Sequence, residues 1–144
     1  EIAERGVRTA QNLPSSLVYA GVSLGVMPAQ KLAMTRPEAR GALLLEACVP
    51  LQYFGGAWPA EVPVQIHGMD RDPVFAGDGD LDATQALVKA APRAELFLYP
   101  GDRHLFIDSS LPSYEAASAA LLTRRVIAFL EASAGHSGKG ASKS

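Results

Sequence analysis

Three side chains in this sequence have the types and the chain order needed for nucleophilic acyl transfer: Ser23, Asp72 and His104. Ser23 is the centre of Gly21-Val22-Ser23-Leu24-Gly25, a G-x-S-x-G pentapeptide. A serine hydroxyl is a poor nucleophile until a base takes its proton and the backbone lifts it clear of its neighbours. The pentapeptide answers the second need. A strand must reverse sharply into a helix, and a glycine on each side of the serine is expected to relieve Cβ crowding in that turn. The following helix points its partially positive N-terminus at a developing oxyanion, and the backbone N–H of Leu24 is the expected donor. The same five residues also describe a glycine-rich turn with serine as a cap, so the surroundings must decide between the two.

The base and the acid come later in the chain. His104 closes Pro100-Gly101-Asp102-Arg103-His104, a loop after a strand, from which an imidazole can reach back over a sheet. Of the other histidines, His67 falls at a strand end and is expected to be packed or hydrogen-bonded in place, and His136 lies in a polar tail. The acid comes from Gly68-Met69-Asp70-Arg71-Asp72-Pro73, where Asp70 and Asp72 compete. A triad acid must sit just beyond a strand end, close enough to hold the imidazole Nδ1–H. Loop aspartates more often only cap turns. What raises the three above their separate weights is the order Ser, Asp, His, each after its own strand, the order of α/β-hydrolases.

The elements that must position them are legible as apolar runs. Leu17–Ala20, Gly41–Leu45, Val62–Ile66 and Ala94–Tyr99 read as strands without alternation, covered on both faces. Between them lie helical patterns: residues 1 to about 11, stopped by Asn12 and Pro14; Leu24 to about Thr35, with Pro28 expected to remove one hydrogen bond; and a segment capped by Asp82 that runs to about Ala91. A last helix is expected over Pro112 to Glu131. Alternating strands and helices imply an α/β fold, a mainly parallel sheet whose reactive groups sit beyond the strands' C-terminal ends. One domain is expected over residues 1–133, and residues 134–144, rich in Gly, Ser and Lys, are expected to be disordered.

Taken together, Gly21-Val22-Ser23-Leu24-Gly25, the Val62-Pro63 strand leading to Asp72, Tyr99-Pro100-Gly101-Asp102-Arg103-His104 and the final helix resemble the dienelactone hydrolase family. The resemblance covers about Ser16 to Glu131. It implies an α/β-hydrolase fold and hydrolysis of a lactone or small ester, and it places the triad acid on Asp72 rather than Asp70. Dienelactone hydrolase itself carries a cysteine nucleophile, whereas this chain has Ser23, as many relatives in the wider family do. Serine asks for stronger base assistance, which raises the demand on His104 and Asp72. The resemblance also implies that the family's N-terminal strands and second oxyanion donor precede residue 1. The chain is therefore expected to begin within a fold and to be impaired, or dependent on its missing half.

Composition narrows the alternatives. The 144 residues are 48% hydrophobic and 19% charged, as in a soluble globular domain. A formal charge of −2 gives no pull toward nucleic acid or an anionic membrane. No apolar run approaches the roughly 20 residues that cross a bilayer. The longest, Ala42–Val49, is interrupted by Glu46. A single cysteine, Cys48, rules out an intrachain disulfide and is expected to be a buried filler, and cytoplasm is the expected compartment. Asp78, Asp80 and Asp82 alternate as in a calcium loop, but Ala83 and Lys89 stand where that loop needs Gly and Glu, so solvated helix-start acids are expected. Tyr53, Phe54 and Trp58 are expected to pack their loop down more than to line a pocket. The expected partner is a small-molecule ester or lactone, and acyl transfer by this trio requires no cofactor. The competing reading is a non-catalytic α/β module that binds a partner. Nothing in the sequence sets an oligomeric state.

Overall fold

The apolar runs become strands because pairing in a sheet under helices takes their side chains out of water, completely for the two central runs. In the computed structural model, which describes residues 1–135, β1 (Val18–Val22), β2 (Gly41–Leu45), β3 (Val64–Met69) and β4 (Ala94–Tyr99) form a parallel sheet in the order β1-β2-β3-β4. Val18 pairs with Gly41, Ala42 with Val64, and Val64 with Ala94, so the strands start level and their C-terminal ends share one edge. The central β2 and β3 are wholly buried, whereas the outer β1 and β4 are partly covered.

Helices cover both faces. On one, α2 (Val26–Thr35) and α3 (Asp80–Ala90) place Val26, Leu32 and Leu87 against Ala42, Leu44, Val64 and Ile66, with α1 (Ile2–Ala10) joining through Val7. On the other, α4 (Ala116–Gly135) brings Leu122 to Leu45, Met69, Tyr99 and Phe106. Burying a side chain such as Leu44 or Ile66 contributes about 1.5–3 kcal/mol each. Among the described residues no helix is long and apolar enough to cross a membrane.

Several element boundaries differ from expectation, each for a local reason. β3 starts at Val64, not Val62, because Pro63 has no N–H to pair; its carbonyl instead accepts the amide of Ala42. The strand then runs on to Met69, since β4 offers partners as far as Tyr99. A 3₁₀ turn occupies Ser23–Gly25 and α2 begins only at Val26. Pro28 thus lies in the first turn of α2, where its missing N–H has no helical partner to lose. Gly79, not Asp82, is the residue before α3, and Asp82 lies inside its first turn. Pro112 precedes α4 without starting it: Glu115 accepts the Ser118 amide at 2.8 Å and caps the helix at Ala116. At its other end α4 extends to Gly135, past the expected helix end near Glu131. The rest of the expected tail, His136 included, lies outside the described residues.

Candidate active site

Each of the three expected reactive side chains leaves the sheet at the C-terminal end of a strand. Ser23 follows β1 directly and holds φ at 50°, a left-handed conformation that costs a non-glycine residue roughly 1–3 kcal/mol. The turn persists because α2 packs on the strand it came from. A Cβ on Gly21 would lie 2.2 Å from the carbonyl oxygen of Gly25, so that glycine is sterically required. Gly25 is different. A Cβ there meets nothing within 4 Å and its φ is −66°, so only one of the two flanking glycines relieves crowding. Leu24 lies in the first turn after the serine, where a backbone N–H has no helical carbonyl to bond.

Asp72 follows β3 and His104 follows β4, and the structure brings both to Ser23. Ser23 Oγ lies 2.8 Å from His104 Nε2, and His104 Nδ1 lies 2.6 Å from Asp72 Oδ2. Because the Asp72 carboxylate only accepts, Nδ1 carries the imidazole proton and Nε2 is free to accept from the Ser23 hydroxyl. Asp72 is fully buried, and its other oxygen accepts the Val74 amide at 2.8 Å. Both of its oxygens are therefore engaged, which is what allows a carboxylate to stay buried. Asp70 points elsewhere: it accepts the Gly101 amide at 3.0 Å and lies beside Arg71 at the surface. His104 is about one-fifth exposed, so the imidazole is reachable from solvent while its acid is not. Val22 and Leu24 flank the serine as exposed apolar side chains. A cavity of about 950 Å³ lies at the opposite ends of the strands, lined by Arg40, Pro63 and Arg93 among others, and has no part in this arrangement.

The family model of the dienelactone hydrolases matches residues 8–134. The chain belongs to the dienelactone hydrolase family. No curated protein matches it. A candidate dienelactone hydrolase from Klebsiella pneumoniae subsp. pneumoniae has a similar structure at 20% identity, with a TM-score of 0.63 over 89% of this chain and 57% of that one. An esterase from the planctomycete Thermogutta terrifontis, solved with propionate bound, is similar at 17% identity and a TM-score of 0.55, over 99% of this chain and 66% of that one. The chain thus spans less than two thirds of either neighbour. At these identities the likeness is one of α/β-hydrolase fold.

Within this dienelactone hydrolase family chain, one charged group of the site carried no sequence expectation. Glu46, immediately after β2, is fully buried with φ at 62°. Its Oε1 accepts the Phe106 amide at 3.2 Å, and its Oε2 is buried without a partner. Burial pushes its carboxyl up from the usual range. The signal available in sequence was its position, a lone acid inside Ala42–Val49 at a strand's C-terminal end. Ligand atoms of Glu46, Asp72 and His104 all lie within 4.8 Å of one another. Two ligands of one zinc ion, each about 2.0 Å from the metal, would stand about 3.3 Å apart. At 2.6 Å, Asp72 and His104 are instead hydrogen-bonded.

The other side chains singled out in the sequence have structural places. His67 is fully buried between Gln65 Oε1 at 3.1 Å and the Tyr99 hydroxyl at 2.9 Å. The carbonyl oxygen of Gln65 accepts from Nε2–H, so Nδ1 accepts from Tyr99. Burial, then Arg125, lowers the pKa of His67 to about 4. Cys48 is buried, and burial pushes its thiol up to about 11. Asp80 is not simply solvated: it accepts the Cys48 amide at 3.2 Å, and burial raises its pKa. Trp58 packs down with its indole N–H on Val62 O, whereas Tyr53 stands 69% exposed.

Proposed function

We propose that the natural polypeptide containing this chain hydrolyses carboxylic esters or lactones through an acyl-enzyme on Ser23. The observation that supports this most directly is the unbroken relay from Ser23 Oγ through both ring nitrogens of His104 to a fully buried Asp72. Membership of the dienelactone hydrolase family adds to it. In the first half-reaction Ser23 Oγ attacks the substrate carbonyl while His104 Nε2 takes the hydroxyl proton. Asp72 stabilises the resulting imidazolium, and the Leu24 N–H receives the oxyanion. The tetrahedral intermediate collapses as His104 returns the proton to the leaving alkoxide or enolate. Water, deprotonated by the same imidazole, then releases the carboxylic acid and restores Ser23. In a lactone the leaving oxygen stays attached to the acyl group, so one open-chain hydroxy or keto acid is formed.

Labelling the full-length natural polypeptide with a fluorophosphonate tests this. Stoichiometric modification of Ser23 that disappears in Ser23→Ala is expected. A full-length protein that folds and leaves Ser23 unmodified would favour the non-catalytic module.

A further inference from the structure

Glu46 combines three costly features at one position. It is a non-glycine residue held at positive φ, it is fully buried, and one of its oxygens has no partner. A residue retained only for packing would do better as an uncharged side chain of similar size, because an unpartnered buried carboxyl is destabilising. Strain and unsatisfied polarity of this kind concentrate where a site is held in place for chemistry. The neighbours say which chemistry. Phe106, whose amide Glu46 holds, is two residues beyond His104, and Leu105 between them is itself at φ 60°. The Glu46–Phe106 bond thus tethers the bend that delivers the imidazole to Ser23.

We propose that Glu46 is a positioning residue of the Ser23–His104–Asp72 relay. Its Oε1 fixes the His104 loop through Phe106, and its carboxyl, with an oxygen within 4.8 Å of a His104 ring nitrogen, keeps a second acid beside the imidazole for the moment the ring becomes positive. This rests on the acyl-enzyme reading above. The charged groups that act on Glu46 are His104 and Asp72, and Asp80 acts on the same pair from the start of α3. Burial, with the charge of Asp72 adding to it, biases Glu46 toward its neutral form, and a positive His104 biases it toward the anion. No covalent step is added, because the serine proton still travels to His104 and on to the leaving group.

The deciding variant is Glu46→Gln in the full-length polypeptide, with Glu46→Ala beside it. Glutamine keeps a carbonyl oxygen for the Phe106 amide and removes only the ionisable group. A relay role predicts a fall in kcat of about 10- to 100-fold with KM within about 2-fold and an unchanged or raised Tm. Ser23 labelling should slow in the same ratio, and Glu46→Ala should lose more. A Glu46→Gln protein with wild-type kcat and KM overturns the proposal, while Ser23 labelling in the wild type leaves the acyl-enzyme reading standing. A wild type that does not label overturns both. Should Glu46→Gln also lower Tm, a double-mutant cycle with Asp72→Asn decides: non-additive losses in kcat support a shared role on His104, and additive losses refute it.

Discussion

Replacing Asp72 by asparagine removes one charge from the relay and nothing else of size, so its effect can be estimated from the geometry. Asparagine fits the same space, and its carbonyl oxygen can still accept the Val74 amide that Oδ1 now holds at 2.8 Å. What is lost is the carboxylate at 2.6 Å from His104 Nδ1, in a side chain with no exposure to solvent. With charge centres about 4 Å apart and an effective dielectric constant near 20, the lost attraction to the imidazolium is about 4 kcal/mol, or roughly 10³ in rate. A second loss follows from the amide group. If its NH₂ turns to His104, the imidazole must present a bare Nδ1, which puts the proton on Nε2 and removes the acceptor for the Ser23 hydroxyl. The two losses together are expected to reach about 10⁴ in kcat, as for triads generally. Hydrolysis of an activated ester such as p-nitrophenyl acetate, with the rate of fluorophosphonate labelling beside it, measures both in the full-length polypeptide. Asp70→Asn is the control. It keeps an acceptor for the Gly101 amide and gives up only an exposed pairing with Arg71 at 3.6 Å, so activity should stay within about 3-fold. An Asp72→Asn enzyme that keeps more than a tenth of its activity, or an Asp70→Asn enzyme that loses more than that one, refutes the assignment.

Two further outcomes follow from the packing. Gly21→Ala would drive a methyl to 2.2 Å from backbone, whereas Gly25→Ala meets open space; thermal melts should show a loss of about 1–3 kcal/mol or more for the first and within about 1 kcal/mol for the second, and equal effects would mean the turn is not tight. His67 titrates near 4 when folded against an ordinary value of 6.5, so the fold favours its neutral form. The stability this contributes is complete above pH 6.5, declines as pH falls through the window, and is gone below about 4. A shift of this size amounts to about 3 kcal/mol, visible in urea titrations between pH 7 and 4, and His67→Gln should flatten the curve; an unchanged slope in that variant would show that other groups set it.

Chemistry and topology were legible in this chain to different depths. The four apolar runs announced a buried parallel sheet because strands covered on both faces need no polar alternation, as β2 and β3 show. Boundaries were less legible, because they depend on partners far away in sequence. β3 reaches Met69 only because β4 continues to Tyr99, and α4 starts at Ala116 only because Glu115 caps it. Gly25 looked as necessary as Gly21 from its spacing, yet only Gly21 faces the α2 backbone.

Local order along the chain determined which residue types stand at strand ends: a serine in a tight turn, two aspartates and a histidine, in the sequence of an α/β-hydrolase. Spacing could not choose between Asp70 and Asp72, since both leave the same loop. The family resemblance pointed to Asp72, and the tertiary structure turns that carboxylate inward to His104 and the Asp70 carboxylate outward to Gly101. Tertiary structure alone revealed Glu46, which in the sequence is one acid interrupting an apolar run. Burial, a missing hydrogen-bond partner and nearness to a histidine 58 positions later are properties of the folded chain, because they are set by contacts between segments that local sequence does not relate.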